Sequence, residues 1–292
     1  MKRVFIINPI AGNGCTLKIG KIIESICNEQ QIDYQIHYTN KPKEATELTK
    51  LHSYNLEPTV IYSVGGDGTL SEVVNGIIGS KAMLGIIPAG SGNDFVRTLP
   101  TINESISKID IGQVNEHYFI NIASIGIDAE IAYNAGKMKN MKIPKSWIYN
   151  ASILYTLGQY KNKIIDYNIN DEQATKKITL LAICNGRYYG GGFCMAPNAL
   201  IDDGAFDVYL VDAMPKIKIP GALLKLKKQL HEQLSVIHKY NSNHLSIDSD
   251  EKLVCNVDGE IIYDNHLDFK LLEKEITLYN HDDLKIKQLI RK

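Results

Sequence analysis

Two aspartates stand in glycine-rich segments whose composition suits phosphate chemistry. The first segment reads Val64-Gly65-Gly66-Asp67-Gly68-Thr69-Leu70-Ser71-Glu72, the second Pro88-Ala89-Gly90-Ser91-Gly92-Asn93-Asp94-Phe95. Glycine lets a backbone approach an anion closely. Amides at the start of a helix converge on phosphate oxygens. An aspartate is misplaced in a simple anion hole, so Asp67 makes sense if a divalent cation bridges it to phosphate. A third loop, Asn8-Pro9-Ile10-Ala11-Gly12-Asn13-Gly14, has the same small-residue character. Any one of these reads equally well as a tight turn. Three at successive strand ends, two with an aspartate, exceed what turn chemistry asks for. The scheme is neither a Walker loop nor a dinucleotide fingerprint: G-x-x-x-x-G-K-[ST] is absent, and Leu17 stands where a third glycine after Gly12 and Gly14 would fall.

These loops need elements to hold them. Val4–Ile7, Tyr34–Tyr38, Val60–Val64 and Met83–Ile87 read as strands that end at turn signals. Leu17–Gln30, Lys43–His52 and Leu70–Ile78 carry helical periodicity. Such alternation argues for a parallel sheet with helices on its faces, and ligands bind outside the carboxyl ends of its strands. All three loops fall there. After about Tyr118 short strands are expected at Tyr118–Ser124, Ile164–Ile169, Ile178–Asn185, Ala205–Val211, Leu245–Ile247, Leu253–Val257 and Leu267–Leu271. Turns at Asn185-Gly186, Asp203-Gly204 and Asp258-Gly259 punctuate them. Helical patterns interrupt this antiparallel texture at Lys145–Tyr160 and Pro215–His238.

Composition fits a globular chain of two domains. The 292 residues are 44% hydrophobic and 22% charged, with a formal net charge of −1. Whole-molecule attraction to nucleic acid is not indicated. Five scattered cysteines without a C-x-x-C pair point to reduced thiols in a cytosolic protein. No run has the length of a signal-peptide core or a membrane span. The expected location is the cytoplasm.

At the loop residues the sequence resembles the diacylglycerol kinase catalytic family, above all its soluble bacterial lipid kinases. Asn8-Pro9 with Gly12, Gly65–Thr69 and Gly90-Ser91-Gly92-Asn93-Asp94 match in order and spacing. So do Ser124-Ile125-Gly126-Ile127-Asp128, Gly190–Gly192 before Ala196-Pro197, Asp202-Asp203-Gly204 and Val257-Asp258-Gly259-Glu260. Gly-Gly-Asp-Gly-Thr alone is shared with NAD kinases and, loosely, phosphofructokinases. The resemblance implies an α/β fold: a Rossmann-like parallel sheet over 1–118 and a β-sandwich over 119–292, whose last residues return to the first domain, with the active site in the cleft between them. It implies ATP bound by Asn8, Pro9, Ile10, Ala11, Gly12, Thr39, Gly65, Gly66, Asp67, Gly68, Thr69, Leu70, Ser71 and Gly92. It assigns Glu260 as general base, with Asp258, Asp67 and Asp94 in the catalytic group. It places a structural magnesium on the Asp203 side chain and the carbonyls of Leu200 and Ala205. Read locally, Asp258-Gly259 and Asp203-Gly204 are plain turns, and Asp94 and Asp128 can equally cap helices. The second loop carries Gly92 where relatives often have threonine.

The acceptor implied is diacylglycerol or another lipid alcohol, reached peripherally at the inner face of the membrane. Lys137–Lys163 holds six lysines and no acidic residue, interleaved with Met138, Met141, Trp147, Tyr149, Leu154 and Tyr155. Lys216–Lys228 is likewise basic and apolar. Both are candidate docking surfaces or amphipathic helices with solvated lysine faces. An NAD kinase and a non-catalytic nucleotide-binding regulator are the rival functions, and a homodimer is the default assembly.

Overall fold

The run Val4-Phe5-Ile6-Ile7 has no polar face, so it is stable only when covered on both sides. In the computed structural model of the chain, which describes residues 1–54, 57–99, 106–138, 141 and 145–279, it lies within β1 (Lys2–Ile7) and is fully buried. The chain continues through α1 (Cys15–Glu29), β2 (Tyr34–Tyr38), α2 (Glu44–Ser53), β3 (Thr59–Gly65), α3 (Asp67–Ile77) and β4 (Met83–Pro88). The strands pair in parallel in the order β2-β1-β3-β4. Because β2 and β3 lie on opposite sides of β1, the order in which the chain adds strands reverses there, and the carboxyl ends of β1 and β3 flank the switch point. Thr277 and Leu278, near the end of the described chain, add in parallel to β4 at Met83 and Leu84. These elements form one compact unit, Met1–Ile111 with Gly190–Gly192 and the described chain from Leu272. Residues 280–292, part of the segment expected to return, lie outside the described residues.

The second unit comprises Gly112–Tyr189 and Phe193–Leu271. β5 (Ile106–Val114) enters it, followed by β6 (His117–Phe119), β7 (Ile122–Gly126), α4 (Ile127–Met138), α5 (Lys145–Gln159), β8 (Lys163–Ile169) and β9 (Glu172–Cys184). Next come β10 (Tyr188–Tyr189), β11 (Phe193–Cys194), β12 (Phe206–Asp212), α6 (Ile219–Lys227), β13 (Ile237–Ser242), β14 (His244–Val257) and β15 (Glu260–Tyr279). The unit is an antiparallel β-sandwich. β9 pairs with β8 along its first half and with β7 and β12 along its second, while β14 pairs with both β8 and β7. The circuit β8–β9–β7–β14 therefore closes on itself.

Alternation along β9 divides the core in two, as a period of two requires. Leu181 and Ile183 point into the sandwich with Phe119, Phe206 and Phe269; Leu180, Ala182 and Cys184 point outward beneath α4, α5 and α6.

Two sequence expectations are corrected. The strand expected over Tyr118–Ser124 breaks at Ile120–Asn121, where the backbone bonds elsewhere: amides to the Asp258 carboxylate, the Asn121 carbonyl to the amides of Asn185 and Gly186. The helix expected over Pro215–His238 is only α6 with short 3-10 turns on either side, and β13 begins at Ile237. Gln229 adopts a left-handed φ of 56°, which stops the helix, and pairing with β12 makes Ile237 onward a strand. α4, β5, β10, β11 and β13 lie outside the elements expected from the sequence.

Candidate functional site

In the first unit the three glycine loops interlock. A Cβ on Gly12, whose φ is 55°, would lie 2.1 Å from the Ala89 carbonyl oxygen; one on Gly90 would lie 2.4 Å from the Gly66 Cα. One on Gly92 would lie 2.7 Å from Asp67 Oδ2. Only glycine permits all three approaches at once. Around them, Asn8 donates to Thr69 Oγ1 at 3.2 Å and accepts the Ile10 amide at 3.2 Å, while the Thr16 hydroxyl donates to the Asn8 carbonyl at 2.7 Å. Thr39, buried at the end of β2, donates its amide to Ile7 at 2.9 Å. Gly65 and Gly66 lead into α3, whose first turn contains Asp67 and Gly68; nothing lies within 4 Å of a Cβ built on Gly68. The first-turn amides of a helix have no partner within it, so α3 offers them, with its positive dipole end, beside the open space at Gly68.

The two aspartates meet. The Asp94 amide donates to Asp67 Oδ1 at 2.7 Å, and Asp94 Oδ2 accepts the Gly191 amide at 2.8 Å. Arg97 Nε stands 3.6 Å from Asp94 Oδ1. Burial, outweighing the Gly191 amide, raises the Asp94 carboxyl above its usual range, and the neighbouring Asp67 adds to the rise. Two adjacent carboxylates beside the first-turn amides of α3 fit a magnesium ion with phosphate oxygens attached, since hard oxygen donors and a concentration of negative charge both favour that ion. Of the residues expected to contact nucleotide, Leu70 and Ser71 turn inward and are buried; Pro9, Ile10 and Ala11 follow β1 in the loop, with Ile10 exposed. Arg97, three residues beyond Asp94 and thus facing back toward it, was legible from spacing but unremarked.

In the second unit Asp258 and Glu260 belong to the hairpin joining β14 to β15. Asp258 and Gly259 take positive φ values of 49° and 94°, the requirement of a two-residue type I′ turn, and Val257 pairs with Glu260. The Asp258 carboxylate accepts the amides of Ile120 at 2.7 Å, Asn121 at 3.2 Å and Ile122 at 2.9 Å. It fastens the hairpin to the start of β7, and Glu260 leaves the turn exposed. Asp258 thus holds Glu260 in place; its oxygens are occupied by backbone.

Asp203 is exposed, with Oδ1 accepting the Ala205 amide at 3.3 Å. Burial, then repulsion from Asp203, raises the Asp207 carboxyl. No group of three or more His, Cys, Asp or Glu side chains converges among the described residues. A cation on this loop would accordingly need backbone carbonyls, such as those of Leu200 and Ala205, beside the Asp203 carboxylate, and hard oxygens of that kind suit magnesium.

A cavity of about 90 Å³ lies on the outer side of the second unit's sheet, lined by Ile127, Ile131, Ile153, Leu180, Val211 and Leu226 among other apolar groups. Asp128 and His231 are its charged or titratable exceptions beside two tyrosines. Burial pushes the Asp128 carboxyl up to about 6, against the pull of the Ser124 hydroxyl and the Ala129 amide. Its Oδ2 is enclosed without a well-aligned hydrogen-bond partner among the described residues. The cavity draws on α4, α5, α6 and several strands, so no local signal in the sequence announced it.

The diacylglycerol kinase catalytic domain description matches residues 2–122, and the YegS C-terminal NAD kinase beta sandwich-like domain description matches 121–279. A diacylglycerol kinase of Staphylococcus saprophyticus is 30% identical over 249 residues, spanning 79% of this chain and 80% of its own. One of Bacillus subtilis is 30% identical over 280 residues, spanning 89% and 90%. A solved Bacillus anthracis protein, described as a candidate diacylglycerol kinase, superposes with a TM-score of 0.76 at 24% identity, covering 97% of this chain and 96% of that one.

Proposed function

Because this chain belongs to the diacylglycerol kinase family, we propose that it transfers the γ-phosphoryl group of ATP to the hydroxyl of diacylglycerol or a related lipid alcohol, giving a phosphatidic acid-type product and ADP. The observation that carries this reading is the meeting of Asp67 and Asp94 among interlocked glycine loops at the sheet's switch point. The α3 amides and the loop backbone cradle the phosphates, with Asn8 and Thr69 bracing the first loop against the third. Asp67, fixed by the Asp94 amide, would hold magnesium, which when bound neutralises charge on the phosphate oxygens during transfer. Glu260 accepts the proton of the lipid hydroxyl as that oxygen bonds to phosphorus and the bond to the ADP oxygen breaks. Asp258 keeps the Glu260 turn in register. Asp203 would hold a second, structural magnesium. The apolar cavity supports a lipid acceptor, because a soluble nucleotide acceptor has no use for it.

The test is incubation with labelled ATP, magnesium and mixed micelles carrying diacylglycerol, phosphatidylglycerol, sphingosine or undecaprenol in turn, beside an NAD-only reaction. Label should enter diacylglycerol, and Glu260→Gln should lower turnover by roughly 10²-fold or more with ATP binding retained. Label in another lipid would change the acceptor and keep the mechanism. Label in NAD alone, or turnover indifferent to Glu260→Gln, would overturn the reading.

A further inference from the structure

α5 is apolar on more sides than its packing uses. Ile148, Ser152, Thr156 and Tyr160 form the buried stripe, pinned to α4 by the Asn134 amide donating to Thr156 Oγ1 at 2.9 Å. Seven residues apart on another face, Trp147 and Leu154 are 66% and 74% exposed. The α6 region repeats this division. Ile219 and Leu226 turn inward, whereas Leu224 is 62% exposed and Ile217, just before the helix, 88%. Scattered apolar residues on a surface are ordinary, but a tryptophan and three large aliphatics on two adjoining helical segments are not. The segments do adjoin: Lys216 Nζ donates to the Gly158 carbonyl at the end of α5 at 2.7 Å, and both helices wall the apolar cavity.

The charge around these side chains has one sign. From Ala213 to His231 the sequence holds five lysines and neither aspartate nor glutamate. Lys218, Lys225, Lys227 and Lys228 are exposed and form no ion pair among the described residues. Lys161 is exposed at the end of α5. An isologous contact with a second copy would set these lysines against themselves. An anionic bilayer accepts both components: its headgroups attract lysine, its interfacial zone suits tryptophan, and its acyl layer takes up the aliphatic side chains. No described helix is long and apolar enough to cross a membrane, so such a contact is made on the surface.

We propose that the outward face of α5 and α6 docks on an anionic lipid bilayer, inserting Trp147, Leu154, Ile217 and Leu224 while Lys218, Lys225, Lys227 and Lys228 meet the headgroups. The proposal draws its purpose from the lipid-kinase reading, since the same two helices wall the apolar cavity. Its test is independent of turnover.

Trp147 is the only tryptophan in the chain, so its fluorescence reports on this face alone. The full protein, without ATP, is mixed with phosphatidylcholine vesicles with and without a third of phosphatidylglycerol. Emission should shift to the blue and be quenched by brominated acyl chains with the anionic vesicles, and salt should reverse both changes. The double variant Ile217→Ser/Leu224→Ser and the double variant Lys225→Glu/Lys228→Glu should each weaken vesicle binding by about tenfold or more. Both should keep wild-type activity on a short-chain diacylglycerol dissolved below its micellar concentration. Vesicle binding with unchanged Trp147 emission would overturn the proposal, as would a blue shift that follows protein concentration without lipid, the mark of a contact between copies. Docking without kinase activity would sink the catalytic reading and leave the surface standing. Activity on the soluble substrate without docking would do the reverse.

Discussion

A methyl group at position 92 has nowhere to go. Its carbon would stand 2.7 Å from Asp67 Oδ2, well inside ordinary contact, so Gly92→Ala must displace the carboxylate read here as the metal ligand. Because Gly92 lies in a half-exposed loop, the fold should tolerate the change. The expected outcome is a loss of about tenfold or more in kcat/KM for magnesium-ATP with the thermal midpoint nearly unchanged, checked by kinetics beside a melting curve. Asp128 offers a test of a different kind. Its carboxyl is raised from 3.8 to about 6 by burial, so the folded chain holds this proton more tightly than the unfolded one. As pH rises from about 4 to about 6 the unfolded chain releases it first, and stability falls; above that window the penalty is constant at about 2–3 kcal/mol. Asp128→Asn, neutral throughout, should remove this component. Denaturant unfolding of the two proteins at pH 4 and pH 7 should therefore show the variant gaining relative to wild type at the higher pH, and equal differences at both would refute the assignment.

At the scale of elements, the β14–β15 hairpin is held by one carboxylate. Asp258→Ala leaves three backbone amides at Ile120–Ile122 without their acceptor and puts alanine at a φ of 49°. A loss of about 2–4 kcal/mol is expected, together with reduced activity although Glu260 itself is intact. The Asp258→Asn change keeps a side chain that tolerates this backbone and still accepts hydrogen bonds, so its loss should be smaller; chemical denaturation of both variants checks the order. The strands of the first unit were legible within about two residues because contiguous apolar runs such as Val4–Ile7 carry their own signal. The segment Pro215–His238 was not. Its spacing of leucines and lysines is helical, and what ends the helix is the backbone of Gln229 and the distant pairing of Ile237 with Val211.

At the scale of the whole molecule, each unit converts separated stretches into one surface. In the first, the sheet order β2-β1-β3-β4 brings loops some 25 to 80 residues apart in sequence into contact, as Gly12 with Ala89 and Asp67 with Asp94 show. In the second, the closed circuit β8–β9–β7–β14 forms a core inside and leaves a second apolar face for α4, α5 and α6 to cover. The sequence by itself determined the alternation of strand and helix, the glycine loops with their two aspartates, and the Asp258-Gly259 turn, because backbone conformation and apolar periodicity are properties of neighbouring residues. Tertiary structure alone decided that Asp67 and Asp94 share a hydrogen bond, that the Asp258 carboxylate secures β7, and that α5 and α6 wall one cavity. Those outcomes depend on pairings between residues far apart in the chain, and no local pattern records which distant partner a strand or a carboxylate will find.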